Sequence, residues 1–253
     1  MSSFTHVLSA ALVLAALALP AFGIEPAEGQ KILEDIDVAV SFEDSDFTAV
    51  MTMITEDPEA GIEKRVLEQY RRDREDKFLM LFLEPATQRG QGYLNVGDNL
   101  WFYDPESRKF SHTSMKEQFA GTDANNSDFR ESTLAEDYQV AAVREGTLGK
   151  YSVYIMTLEA RTNEVTYPQR RIWVTTDTRL VLKSEDYSAN GRLMRTSLIP
   201  SYARVDDKYI ATRIIFVDNL IEGKKTQITF TDISFAPLAD SVFTKAYVER
   251  VNR

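Results

Sequence analysis

Phe78-Leu79-Met80-Leu81-Phe82-Leu83 is apolar at six successive positions. Side chains of a β-strand alternate between two faces, so this run has no water-facing side and both of its faces need cover. The same holds for Leu100-Trp101-Phe102-Tyr103 and nearly for Ile214-Ile215-Phe216-Val217. A chain built on such strands must supply material for both sides of a sheet, and the rest of the sequence shows how little helix it has for the purpose.

One amphipathic helix is predicted, over Ala27 to Val40, where Ile32, Leu33, Ile36 and Val40 fall at helical spacing opposite Lys31, Glu34, Asp35 and Asp37. From Phe47 onward short β-rich runs dominate. Eleven strands are read: Phe47 to Thr55, Val66 to Arg74, Lys77 to Leu83, Gln91 to Val96, Leu100 to Asp104, Tyr151 to Ala160, Arg170 to Thr175, Leu180 to Tyr187, Leu193 to Tyr202, Tyr209 to Val217 and Thr226 to Phe235. Turn formers punctuate them, among them Asp57-Pro58, Glu84-Pro85, Gly97-Asp98, Asp104-Pro105, Asn190-Gly191 and Glu222-Gly223. With no βαβ alternation and no internal repeat, the expectation is a single strongly curved antiparallel sheet in up-and-down order.

Met115 to Tyr138 interrupts this pattern with a polar, Asn- and Asp-rich stretch carrying brief helical signals at Met115 to Phe119 and Phe129 to Leu134. Spliced between two halves of a sheet, it reads either as a lid or as a solvated crossover loop. Upstream, Val7 to Leu19 is an apolar run too short to span a bilayer, and it ends in Pro20-Ala21-Phe22-Gly23. Residues 1–23 are therefore expected to be a signal peptide cleaved near Gly23, followed by one domain over 24–253, periplasmic and soluble. The chain has no Cys, which excludes both disulfides and an N-terminal lipid-modified cysteine. A formal net charge of -10 argues against nucleic acid as a partner, because phosphate contacts need Lys and Arg concentrated on one face.

Reactive groups are scarce. His112 is the only histidine beyond the leader and sits in the polar segment Phe110 to Ser114, where the reading is an exposed, solvated side chain. Gly90, Gly92 and Gly97 lack the strand-to-helix turn of a phosphate loop. Asp123, Asn125 and Asp128 lack the Gly and closing Glu of a calcium loop and read as an Asx turn; Asn125-Asn126-Ser127 also fits a glycosylation acceptor. With 39 acidic residues, paired carboxylates acting on lipid or glycan stay open, although no two stand out as a pair. No cofactor, metal site or catalytic residue is expected, and the protein is read as a non-enzyme. The apolar strands then fit either a packed core or a pocket for an apolar ligand, with Met51, Met53, Met80 and Met156 as adaptable walls.

Three stretches carry a resemblance: FLEPATQRGQGYLNVGDNLWFYDPESRKF, RRIWVTTDTRLVLKSEDYSANGRLMRTSLI and KKTQITFTDISFAPLADSVFTKAYVERV. Together with the helix over Ala27 to Val40, they resemble the periplasmic outer-membrane lipoprotein-sorting proteins of the LolA-like family. The resemblance implies a mainly β fold with an α lid, a half-open β-barrel capped by helices, whose cavity takes the acyl chains of a lipoprotein or another lipid. It implies a monomer that meets an inner-membrane transporter and an outer-membrane acceptor. An accessory protein of an inner-membrane transporter of the resistance-nodulation-division or ABC type, handling another hydrophobic substrate, is the alternative. The expected cavity residues are Met51, Met53, Met80, Phe82, Leu94, Trp101, Tyr103, Ile172, Val174 and Phe216, and the expected lid residues are Ile32, Ile36, Met115, Phe119 and Phe129. The carriers' cavity arginine has four candidates here, Arg65, Arg71, Arg170 and Arg213.

Overall fold

The computed structural model describes residues 24–205 and 208–251. The signal peptide expected over residues 1–23 lies outside the described residues. Helix α1 (Pro26–Val40) opens with Pro at its first position, where the missing N–H costs nothing, and buries Gly29, Ile32, Leu33 and Ile36 along one face.

Thirteen strands follow: β1 (Phe47–Asp57), β2 (Gly61–Arg72), β3 (Lys77–Glu84), β4 (Gly92–Val96), β5 (Asn99–Asp104), β6 (Lys109–Thr113), β7 (Tyr138–Leu148), β8 (Tyr151–Ala160), β9 (Gln169–Thr175), β10 (Val181–Tyr187), β11 (Leu193–Val205), β12 (Lys208–Asp218) and β13 (Lys225–Ser234). They form one antiparallel sheet in the order β6-β5-β4-β3-β2-β1-β13-β12-β11-β10-β9-β8-β7, which is not closed. The half-open antiparallel sheet capped by helices expected from the sequence is thus present.

The count of eleven strands is corrected to thirteen. Phe110 to Thr113 belongs to edge strand β6, and β7 was hidden because Arg144, Glu145 and Gly146 dilute its strand signal. The polar interruption runs from Ser114 to Asp137 and joins the two edge strands across one face of the sheet. It holds a 3₁₀ turn at Asn126–Phe129 and a single helical turn, α2 (Leu134–Asp137). No helix forms at Met115 to Phe119, where Gln118 instead bridges Asn125.

Strand β3 shows how both faces are covered. Phe78, Met80 and Phe82 point to the concave side and pack with Met51, Met53, Leu67 and the crossover residues Phe119 and Phe129. Leu79 and Leu81 point to the outer side and pack against Val242, Phe243 and Val248. That outer cover is the C-terminal segment, a 3₁₀ turn at Asp240–Phe243 followed by α3 (Lys245–Val251). Arg72 pins it: the guanidinium donates to Asp46 at 3.0 Å, to Asp240 at 2.6 Å and to the Leu238 carbonyl at 2.6 Å.

Helix α1 covers the far half of the concave face, where its apolar stripe meets Tyr138, Val140, Val143, Met156, Leu158, Ile172 and Val174. Its approach to β7 is close, since a Cβ on Gly29 would fall 2.7 Å from Val143 and 2.8 Å from Val140. Phe243 is the bulkiest buried side chain of the C-terminal segment, and Phe243→Ala is expected to lower unfolding free energy by about 3–5 kcal/mol in urea titration. A loss below about 1 kcal/mol would mean that the C-terminal segment is not part of the core.

Candidate functional site

Between α1, the crossover and the concave face lies a cavity of ≈ 760 Å³. Its apolar floor includes Ile172 of β9, Ile199 of β11, Ile214 and Phe216 of β12 and Phe230 of β13; Ile36, Met115 and Phe129 contribute from above. Strand parity places the floor residues, each of which faces the same side as its cross-strand neighbours: Ile172 pairs with Ser184, Ser184 with Ser197, and Ser197 with Phe216.

The sequence-predicted residues divide three ways. Ile172, Phe216, Ile36, Met115 and Phe129 line the cavity. Met51, Met53, Met80, Phe82 and Phe119 share the concave side but are fully packed together, and Val174 and Ile32 are sealed beneath and along α1. Leu94, Trp101 and Tyr103, expected in the cavity, instead face outward under the C-terminal segment. The reason is parity: in a strand apolar on both faces nothing in the sequence marks the inner one, and Leu100 and Phe102 are the inward residues of β5.

At one end of the cavity the concave face is charged. Asp186 of β10 has no exposed surface and sits between two guanidiniums, accepting from Arg170 Nε at 2.7 Å and Arg195 Nε at 2.9 Å. Arg195 reaches on into the crossover, where its two Nη atoms donate to the Asp128 carboxylate at 2.5 and 3.1 Å and one also donates to the Asp123 carbonyl at 3.2 Å. The guanidinium lies 4.9 Å from the Tyr167 ring and 4.6 Å from that of Phe216. Asp128 also accepts from the Asn125 amide at 2.7 Å, so what the sequence reads as an Asx turn is a capping box locked to the sheet.

Burial would raise the Asp186 carboxyl, but the fields of Arg170 and Arg195 outweigh it and hold the group below the usual carboxylate range. Burial likewise opposes the charge on Arg195, and Asp128 and Asp186 reverse the balance, keeping its guanidinium above its ordinary value. Asp123 goes the other way. Burial dominates and pushes its carboxyl up, despite a 2.7 Å hydrogen bond donated by Thr226 and the field of Lys224.

Of the four arginines read as candidates, Arg71 lines the cavity while paired to Asp73, and Arg170 joins the Asp186 cluster. Arg65 binds Gln88 and Glu63, and Arg213 is exposed beside Gln227. Arg195, the centre of the cluster, was missed. Hairpin register would have found it, since Asp186 and Arg195 lie at equal distance from the Asn190-Gly191 turn and pair directly.

The far end of the crossover is tied to α1. Asp37 accepts from the backbone N–H groups of Leu134 and Ala135 and from the Ser132 hydroxyl, and Gln30 donates to the Ala135 and Tyr138 carbonyls. His112 is exposed in β6, where its Nε2 accepts from Trp101 Nε1 at 3.0 Å on the outer face. No group of three or more His, Cys, Asp or Glu suited to a metal ion occurs among the described residues.

A family model described as "Uncharacterized protein" matches residues 74–250. A LolA superfamily protein from Nitrosomonas europaea superposes with a TM-score of 0.75 at 25% identity, covering 86% of this chain and 98% of that one. The chain belongs to the LolA-like family. A domain assigned to the outer membrane lipoprotein-sorting proteins, from Vibrio parahaemolyticus, gives a TM-score of 0.80 at 21% identity over 89% of this chain and all of that one. A DUF1329 family protein from Desulfovibrio piger gives 0.79 at 20% identity over 89% and 100%. No curated protein sequence matches. The chain thus shares the fold of a LolA superfamily protein over nearly its whole described length.

Replacing Arg195 leaves Asp128 without its guanidinium partner and Asp186 with only one of its two. Arg195→Met is therefore expected to cost about 3–5 kcal/mol in urea unfolding. A change under about 1 kcal/mol would show that the cluster does not hold the crossover.

Proposed function

We propose that this protein is a periplasmic carrier, one domain over residues 24–253, that holds acyl chains of a lipoprotein or another lipid in the cavity for transfer to the outer membrane. The cavity carries this reading. Its volume of ≈ 760 Å³ falls within the range of about 300–1,000 Å³ typical of small-ligand sites, and its floor is built from large apolar side chains. The fold is that of proteins assigned to lipoprotein sorting. Among the described residues no helix is long and apolar enough to cross a membrane, and the leader-like segment upstream supports export. Loading from an inner-membrane transporter and delivery to an outer-membrane acceptor would need no chemistry from the carrier itself.

Energetics set the terms of such a task. Each buried methylene is worth about 0.8 kcal/mol, so complete enclosure of three long chains would exceed the practical ceiling of roughly 18–21 kcal/mol. A carrier gripping that tightly could not release its load. Partial enclosure, with some binding energy spent on moving a cover, brings affinity into a usable range. The crossover suits the part of cover: it contributes Met115 and Phe129 to the roof, and ion pairs and hydrogen bonds hold it to the sheet.

Native mass spectrometry of protein exported to a periplasm and purified without detergent tests the carrier reading. A bound triacylated peptide or phospholipid is expected; protein that arrives empty and takes up no fluorescent fatty acid would end the reading. The cover can be tested separately in a chain with no native cysteine. Asp123 and Thr226 touch through their side chains, so Asp123→Cys with Thr226→Cys, once oxidised, should slow uptake and release at least tenfold, with reduction restoring both. Equal rates in the oxidised and reduced forms would show that the crossover does not move.

A further inference from the structure

The cavity floor is not uniformly apolar. Ser184 and Ser197 stand directly opposite each other on β10 and β11, and both line the cavity between Ile172 and Phe216. Each is more than nine-tenths buried, at 4% and 6% exposure. The Ser197 hydroxyl has no hydrogen-bond partner. Two other buried, unpartnered side-chain groups border the same cavity, Thr166 Oγ1 from the loop between β8 and β9 and Arg130 Nε from the crossover. Buried polar groups are nearly always satisfied, and leaving one unmade costs a fold more than making it gains. Three orphaned groups around one cavity therefore point to a ligand that completes them.

Their chemistry narrows the ligand. Arg130 Nε can only donate, while the two hydroxyls can donate or accept, so the complement common to all three is an acceptor. In the row of cross-strand pairs next to the serines on the same face, the full charges are already matched: Arg170 and Arg195 share Asp186, and Arg195 also clasps Asp128. A carboxylate or phosphate placed at the serines would lie against these buried carboxylates and would have to displace one of them. A neutral acceptor meets no such competition.

We infer that Ser197, supported by Ser184, is a specificity-determining seat for the carbonyl oxygen of an ester- or amide-linked acyl group, so that the cargo's linkage enters the cavity along with its hydrocarbon. The inference rests on the carrier reading and deepens it: the protein distinguishes acyl esters and amides from plain hydrocarbon of equal size. The seat lies on the floor, two residues along the strands from the Arg170, Asp186 and Arg195 row and next to it on the same face, which places the linkage near the charged end and the chain toward Ile199, Ile214 and Phe230.

Displacement of cis-parinaric acid by methyl laurate and by pentadecane, matched in heavy-atom count, tests the seat on the whole exported protein. Ser197→Ala is expected to weaken displacement by methyl laurate about five- to tenfold while leaving pentadecane within about twofold, the size of one neutral hydrogen bond. Ser197→Thr, which keeps the hydroxyl, should retain most of the ester affinity. If both ligands change alike, or neither changes, in Ser197→Ala and also in Ser184→Ala, the seat is overturned and the carrier reading stands. If the native protein binds neither the probe nor either ligand, the carrier reading falls and the seat with it.

Discussion

Asp186 carries a full negative charge with no exposed surface, and much of the architecture follows from what that charge requires. A carboxylate cannot be taken out of water in a protein interior unless cations and donors replace its hydration. Arg170 and Arg195 do so from the flanking strands, but two guanidiniums against one carboxylate leave a positive excess, which Asp128 of the crossover offsets. The crossover is therefore part of the electrostatic balance of the sheet. Lifting it would expose Arg195 and leave the interior charges unequal, and this ties cover to floor more selectively than apolar contact alone.

The opposite covers of the sheet are unlike each other for a physical reason. On the outer side, Leu79 and Leu81 are sealed by the C-terminal segment, which Arg72, Asp46 and Asp240 fasten. On the concave side two separate pieces share the work, with α1 over β7 to β9 and the crossover over β1 to β5. Between them the cover over β10 to β12 is incomplete, and Ser184, Ser197 and Phe216 line the space that is left. The cavity is the place where the cover runs out.

Much of this was legible in the residues themselves. The apolar run at Phe78 to Leu83 called for cover on both sides, which Phe78 to Phe82 receive while Leu83 at the strand end is exposed, and helical spacing over Ala27 to Val40 located α1 within a residue. Parity was not legible, because alternation is the only mark of an inner face and Leu100 to Tyr103 does not alternate; Leu94, Trp101 and Tyr103 were accordingly placed on the wrong side. Strand β7 escaped notice because an edge strand needs fewer apolar residues, and charged positions such as Arg144 and Glu145 protect it from further pairing. The Arg195 cluster joins β9, β10, β11 and the crossover. Only its hairpin half could have been inferred locally; the partnership with Asp128 depends on how the crossover lies.

The order of the strands has a kinetic consequence. Twelve neighbouring pairs hold the sheet together, and all but one join strands consecutive in the chain, so each half of the meander can zip up from its own turns. The exception is β1 with β13, which brings Thr48 beside Ser234 at the centre of the sheet. That single seam closes a loop of nearly the whole described chain and must form against the corresponding loss of chain entropy. Until it does, β1 and β13 each present an unpaired edge, so the slowest and most aggregation-exposed moment in the life of the molecule belongs to its centre and not to its rim.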